Sequence, residues 1–412
     1  MPPLETAPAH ITLPASAAAG NGLPSVILAL AAFVIVTTEF LIVGLLPVLA
    51  RDLGIPVPAA GQLITLFAFT VMLFGPVLTA LLSHVERKRL FIAIMLIFAA
   101  SNALAALSPN IWVLALARFI PALALPVFWG TASETSAQLA GPARAGRAVS
   151  QVYFGISAAM LFGIPLGTLA SGVVGWRGAF WGLAALSLLM ALLQWVFMPA
   201  LAGSERVRLA AQTRILKDFR FVANVALSVA VFTAMFTAYT YLADTLERIA
   251  GIPAPQVGWW LMGFGAIGLF GNWLGGHFVD RSPLGATVAG TVLLGIGMAA
   301  SVPASGSHGL LAIVLLVWGI AYTALFPVCQ VRVMQAAPQA QALAGTLNVC
   351  AANAGIGLGA MIGGLGIGHW GLGYVGYIAA GMAALAVLLA LAMASLAEMS
   401  RRGRAHRRTD ME

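Results

Sequence analysis

The sequence predicts an all-α polytopic membrane protein, with 12 transmembrane helices arranged as two pseudo-symmetric six-helix bundles. Three observations predict it. Charge is scarce: 8% of the 412 residues are Asp, Glu, Lys or Arg and 61% are hydrophobic, against roughly 25% charged in a soluble globular chain. Apolar runs of about 20 residues, enough to cross about 30 Å of hydrocarbon, recur along the whole length. The first half of the chain also echoes in the second at a nearly constant offset.

The runs are separated by breakers, taken here in chain order. "ARDLGIP" closes the first, near 25–49, and "SHVERKR" the second, near 59–82. "LSPN" follows the third (90–107), "GPARAGR" the fourth (111–133) and "GWRG" the fifth (146–171). After the sixth (177–199) comes the longest polar connection, "GSERVRLAAQTRILKDFR", which divides the chain into six plus six. "ERIAGIPAP" ends the seventh (220–246), "DRSP" the eighth (256–279), "PASGSHG" the ninth (285–303) and "APQAQ" the tenth (309–333). "GLGY" joins the eleventh (341–367) to the twelfth (372–397). The expected organisation is a cytoplasmic N-terminal tail (1–24), a six-helix bundle (25–199), a cytoplasmic linker (200–219), a second bundle (220–397) and a basic cytoplasmic tail (398–412).

Basic residues set the orientation, because cytoplasmic loops are enriched in Lys and Arg. With both termini inside, 17 of the 21 basic residues lie in cytoplasmic segments, only Arg51, Arg177 and Arg248 lie outside, and Arg118 stays in the membrane. This distribution explains the net charge of +8 better than nucleic-acid binding does, and no nucleic-acid partner is expected. The tail Arg401–Arg408 reads as an anionic-lipid contact or topology anchor. Cys329 and Cys350 both lie in apolar runs and read as packing residues rather than a disulfide. The first 24 residues hold no Lys or Arg, so they lack the basic region of a cleaved signal.

The internal echo has three parts. Gly75 before "ERKR" matches Gly271 before "GGHFVDR", 196 residues on. "GIPLG" (Gly163–Gly167) pairs with "GIGLGAMIGG" (Gly355–Gly364), and "GWRGAF" with "HWGLGY". Duplicated helical halves are a carrier signature, with the substrate site between them near the midplane.

Several longer stretches carry a resemblance: "TTEFLIVGLLPVLARDLGI", "AGQLITLFAFTVMLFGPVLTALLSHVERKRLF", "LALARFIPALA", "GISAAMLFGIPLGTLASGVVGWRGAFW", "AYTYLADTLERIAGI" and "LNVCAANAGIGLGAMIGG". Together they resemble the major facilitator superfamily, in particular its twelve-helix drug:proton antiporter branch and bacterial efflux permeases for arabinose, purine nucleosides and chloramphenicol. The chain departs from the family's loop between helices 2 and 3. Ser83, His84 and Glu86 replace the usual acid, first Arg and second Gly, while Arg87, Lys88 and Arg89 keep the pattern. Asp280–Arg281 retain the acid–base pair in the second half.

Glu39 poses the sharpest question. It lies about 14 residues into helix 1, inside a run free of Lys and Arg for ten residues on either side. A charged acid at a helix centre costs roughly 2.5–3.5 kcal/mol on insertion scales. It must face a water-filled cavity, pair with a cation, or carry its proton. Glu39 is therefore the candidate proton-coupling acid, the alternative being a permanently protonated acid that bonds helices together. Arg118, seven residues into helix 4, cannot discharge and needs an acceptor. The resemblance ties it to proton transfer, and a clamp on helix carbonyls is the other reading. Asp244 is a third proton-coupling candidate, against a solvated helix end, with Glu247 and Arg248 at the aqueous rim.

Tyr239 and Tyr241, with Asn348 and Asn353, are candidates for lining a substrate cavity, packing being an equal explanation. Arg87, Lys88, Arg89, Asp280 and Arg281 are expected to gate, and Glu134 and Arg332, placed where snorkelling to water is easy, to sit at a gate or interface. Gly155, Gly163, Gly167 and Gly172 with Pro165 make a close-packing, kinking surface in helix 5. The resemblance puts such a motif at the interface between halves, where it would control rocking and leakage.

No catalytic constellation, metal-ligand spacing or phosphate-cradling P-loop is present, so ATP-driven pumping and enzyme chemistry are not expected. The expected function is proton-coupled export of a small neutral or weakly charged molecule (a drug, sugar or nucleoside) by alternating access. The chain would act as a monomer in the bacterial inner membrane, with protons and the lipid bilayer as partners and the proton gradient in place of a cofactor. The alternatives are an importer or uniporter of the same fold and, more remotely, a membrane receptor or enzyme.

Overall fold

The computed structural model describes residues 23–141, 145–203, 213–279, 281–338 and 341–409. Asp280 and the N-terminal tail up to residue 22 lie outside them, as does much of the linker. The first half holds α1 (Leu23–Leu53), α2 (Val57–Leu82), α3 (Arg87–Ala106), α4 (Ile111–Ala140), α5 (Ala145–Ala158) and α6 (Ile164–Phe197). The second holds α7 (Phe219–Tyr239), α8 (Leu242–Arg248), α9 (Ala254–Val279), α10 (Pro283–Ser301), α11 (His308–Gln335), α12 (Gln341–Trp370) and α13 (Val375–Thr409).

Among the described residues, ten helical stretches are long and apolar enough to cross a membrane. One of them, 148–197, would be about 75 Å long at 1.5 Å per residue, far more than a bilayer needs. It is broken at Gly175, whose φ of 72° is left-handed, and so serves as two spans. The twelfth span is α9, whose seven glycines dilute its apolarity. The twelve predicted spans are therefore present, with one difference. The seventh is interrupted at Tyr241 (φ −107°, ψ 14°), which separates α7 from the short α8.

The duplication shows in the backbone. Gly54 (φ 63°) turns the chain between the first two spans and Gly251 (φ 66°) does so between the seventh and eighth. Gly175 (φ 72°) and Gly371 (φ 89°) turn it at the next matching pair. These pairs lie 197 and 196 residues apart, and each needs a conformation that side-chain-bearing residues rarely adopt.

Arg177 ion-pairs with Asp52 and donates to the Ser108 carbonyl at 3.1 Å, which gathers the α1, α3 and α6 turns at one end of the molecule. The halves join toward this Asp52 end. The largest buried apolar cluster draws on both halves there, with Phe40, Leu46 and Ile64 packed with Phe236, Tyr241 and Leu261. Toward the opposite end, the buried apolar side chains form separate clusters, Phe67, Phe91 and Phe128 with their neighbours in one half and Ile215, Phe221 and Val333 in the other.

Glycines set the closest approaches. Gly355, Gly359 and Gly363 lay α12 against backbone atoms of Val229, Thr233 and Thr237 on α7, leaving no room for a methyl group. Small residues serve helix contacts in membranes because lipid offers no hydrophobic drive to associate. The helix 5 motif makes contacts on two sides. Gly155, Gly163 and Gly167 face α1 of their own half, while Gly172 meets nothing. Across the seam, the Pro165 carbonyl and the Met160 and Leu161 backbone approach Gly258 and Gly265 of α9. A π-helical turn, Ala159–Gly163, precedes Pro165, which lacks the N–H that would continue the α ladder.

Candidate functional site

Glu39 is the seventeenth of 31 residues in α1, midway along the span. It is partly exposed in a stretch whose neighbours from Val34 to Thr38 and from Phe40 to Pro47 are all buried. No donor among the described residues hydrogen-bonds its carboxylate. The buried Arg118 instead forks onto the α1 backbone, donating to the Thr38 carbonyl at 2.5 Å and the Glu39 carbonyl at 2.6 Å. Its guanidinium carbon stands 4.4 Å from the centroid of the Phe67 ring, a cation–π arrangement. Asn102 fixes the same turn by donating to Thr38 Oγ1 at 3.1 Å. Arg118 is thus a clamp on mid-helix carbonyls whose charge also acts on the Glu39 side chain.

Opposite Glu39 is a wall of aromatic rings in the second half. Phe40 reaches across the seam to Phe236, with centroids 5.8 Å apart. Behind it, Tyr239 lies 4.6 Å from Tyr322, and Phe264 lies 5.6 Å from both Trp318 and Tyr322. Tyr239 therefore falls in the centre of the molecule, buried among these rings. Tyr241 does not accompany it. Its hydroxyl donates to the Ala360 carbonyl at 2.7 Å, and its ring is wedged against Gly61 of α2 and Gly363 and Gly364 of α12. Asn348 donates to Gln330 at 2.6 Å, and Asn353 to the Val349 carbonyl of its own helix at 3.0 Å. The amide oxygen of each has no partner among the described residues.

Asp244 is not a solvated helix end. The break at Tyr241 turns α8 so that Asp244 is fully buried, with one oxygen 3.5 Å from Arg248 and the other unpartnered among the described residues. It lines a cavity of about 400 Å³ with Pro47, Arg51, Pro56 and Arg248. Beside the cavity, Glu247 is not simply at the rim: it ion-pairs with Arg51, tying α8 of one half to α1 of the other. Several of the expected gate residues meet partners in their own half. Arg87, fully buried, pairs with Glu134 at 2.8 Å, and its backbone N–H donates to the Leu201 carbonyl. Arg89 pairs with Glu86 at 2.9 Å, Lys88 is partly exposed and Arg281 is exposed beside Phe278. Arg332 does not snorkel. It is buried, bonded to Thr287 Oγ1 (3.0 Å), Ser228 Oγ (2.9 Å) and the Asn224 carbonyl (3.2 Å).

Sequence reading passed over Trp318 and Tyr322 on α11, Phe236 on α7 and Phe264 on α9. Their signal is a ring every fourth residue, Trp318–Tyr322–Phe326 and Phe232–Phe236, which puts each set on one helix face.

Comparison with known proteins fits this architecture. The Major Facilitator Superfamily sequence model matches residues 28–281 and 225–409. The chain is 35% identical over 365 residues to the inner membrane transport protein YdhP of Escherichia coli (strain K12), covering 87% of this chain and 93% of that one. It is 33% identical over 348 residues to an uncharacterized MFS-type transporter, YtbD, of Bacillus subtilis (strain 168), covering 82% and 87%. Among solved structures, the nucleoside transporter NupG superposes with a TM-score of 0.74 at 17% identity, over 90% of this chain and 99% of that one. A bacterial homolog of the human lysosomal transporter Spinster, inward-facing and unoccupied, gives 0.70 at 16% identity over 91% and 95%. Twelve spans in two echoing halves, joined around a mid-membrane acid and matched along nearly their whole length, make this multi-pass membrane transporter a member of the major facilitator superfamily.

Proposed function

We propose that the protein is a proton-coupled exporter of small molecules, with Glu39 as the group that takes up and releases the proton. The observation that carries this reading is a carboxylate at mid-span that is partly exposed, has no hydrogen-bond donor among the described residues, and sits one residue from a ring contact between the halves. An acid so placed can exchange a proton with a water-filled cavity, and its charge state changes the stability of whatever packs beside it. Arg118 positions the turn that carries Glu39 and biases its charge. Asp244, buried beside the cavity at the Asp52 end with one oxygen unpartnered among the described residues, is a second proton stop on the path.

The excess of Lys and Arg in the predicted cytoplasmic segments supports placing both termini inside and the Asp52 end outside the bacterial inner membrane. In that frame the halves pack together toward the outer face. Outward transport rests on the resemblance to efflux permeases. The chain acts alone, on cargo with little net charge.

The test is proton movement in inside-out vesicles on addition of chloramphenicol, adenosine or arabinose, followed by the same assay with Glu39→Gln. Coupled proton release in the wild type and none in Glu39→Gln supports the reading. Transport against a gradient that survives Glu39→Gln would make the protein an importer or facilitator driven in another way.

A further inference from the structure

The ring cluster facing Glu39 contains an anomaly. Trp318 and Tyr322 are 1% and 0% exposed, yet neither the indole N–H nor the phenol hydroxyl has a partner among the described residues. The Tyr239 hydroxyl has only a 4.0 Å approach to the sulfur of Met160. A cluster that only had to pack would be served better by phenylalanine, because a buried polar group without a partner is destabilising in proportion to the water it gave up. In a membrane the anomaly is sharper, since no solvent stands behind these helices.

The position of the cluster explains it. Tyr322 and Trp318 lie one turn apart on α11, packed on Phe264 and, through Tyr322, on Tyr239 and Phe236. Phe236 makes the contact with Phe40 across the seam, next to Glu39. Glu39 on α1 and Tyr322 on α11 therefore flank that contact from opposite halves. A movement of the halves that separates Phe40 from Phe236 opens the cluster toward Glu39.

We propose that Trp318 and Tyr322 form a cargo subsite, closed in this orientation and opened in the other, for planar conjugated molecules that carry a hydrogen-bond acceptor. The inference rests on the carrier reading above and narrows its cargo. The rings offer faces and edges for stacking a flat molecule. The indole N–H is a donor only, so it requires an acceptor such as a carbonyl, a nitro group or a ring nitrogen. Glu39, across the seam, accepts from an N–H or O–H on the opposite edge of the cargo. A polyol such as arabinose has no flat face and would leave most of its hydroxyls unmatched here.

Two measurements test this. The first is export from proteoliposomes of chloramphenicol, adenosine and arabinose by the wild type, Tyr322→Phe and Trp318→Phe, with thermal stability recorded for each. The wild type is expected to move chloramphenicol or adenosine and not arabinose. Tyr322→Phe is expected to raise KM about tenfold, the equivalent of one hydrogen bond to the cargo, with a melting temperature equal to or above that of the wild type. An unchanged KM with a higher melting temperature overturns the proposal, as does transport of arabinose alone. The second measurement does not depend on having a cargo. Tyr322→Cys, in a background carrying Cys329→Ser and Cys350→Ser, is treated with a membrane-impermeant methanethiosulfonate. Labelling from one side of the membrane supports a subsite that opens; a folded protein that never labels overturns it. If the wild type moves none of the three probes, the exporter reading fails, and labelling alone then decides the subsite.

Discussion

Arg118 in the first half and Arg332 in the second are buried to almost the same degree, 1% and 4% exposed, and are solvated in different ways. Arg118 forks onto two carbonyls of α1 and stacks on Phe67, and the carboxylate within reach of its charge is a partly exposed one at the seam. Arg332 is held by two hydroxyls and one carbonyl inside its own half. A guanidinium cannot discharge, so both must be solvated by the protein. Only Arg118 is solvated by groups whose position matters to a titratable acid. One cation thus stands beside the acid proposed to couple, and the other is held wholly within its own half.

The change with the largest expected effect is Glu39→Gln. It keeps the shape of the side chain and removes the proton exchange, so cargo-driven proton release should fall to the vesicle background. Cargo exchange without a gradient should persist, because alternating access itself is intact. The pH dependence of transport should flatten in the same variant. A wild-type pH profile in Glu39→Gln would move the coupling role to another acid, Asp244 first.

Next come Arg118→Lys and Arg332→Lys, which separate the two cations. An ammonium cannot reproduce a two-pronged fork, and each hydrogen bond to a charged group contributes about 1.5–3 kcal/mol. Both variants should lower thermal stability by a similar amount. Arg118→Lys should in addition reduce coupled transport by roughly 10- to 100-fold, the equivalent of one such bond at the site. Arg332→Lys should leave the pH profile of the remaining activity unchanged. Equal losses of coupling in the two would erase the distinction.

Asn102→Leu gives a smaller effect of the same kind. It removes the donor to Thr38 Oγ1, one bond away from the Arg118 fork. A neutral hydrogen bond contributes roughly 0.5–1.5 kcal/mol, so a few-fold decrease in coupled transport is expected, with cargo affinity unchanged. A decrease in affinity instead would place Asn102 at the cargo.

The halves differed in how legible they were. Glu39 and Arg118 stand out in sequence because a charge in an apolar run is a local signal, and span length then gives its depth. The basic residues likewise report loops one at a time. The aromatic wall was written in the sequence as rings every fourth residue on α7 and α11, but in a chain this apolar such stripes do not stand out from packing. Two features depended on tertiary pairing and had no local signal. For Asp244 the sequence left a proton-coupling acid and a solvated helix end both open, because hydropathy runs smoothly through Tyr241, where the backbone breaks and buries it. Arg332 read as snorkelling because its three partners come from α7 and α10, more than 40 residues away in sequence.

The smallest expected effect belongs to the ion pair that ties the halves together. Arg51 and Glu247 are 54% and 20% exposed, and a pair so open to water contributes about 0–1 kcal/mol, screened by salt. Its removal should hardly move the melting temperature. Its consequence lies elsewhere, because the pair joins α1 to α8 and can exist only while the Asp52 end is closed. Whatever it contributes enters the balance between orientations directly, and 1 kcal/mol there is about a fivefold change in populations. Glu247→Gln should therefore shift the distance distribution between spin labels on the Asp52-end turns of the two halves toward the open form, more at low salt than at high. The double exchange Arg51→Glu with Glu247→Arg should restore the wild-type distribution. If the single variant leaves the populations unchanged at low salt, the closed end is held by packing of Tyr241 against Gly61 and Gly364, and the charges only decorate it.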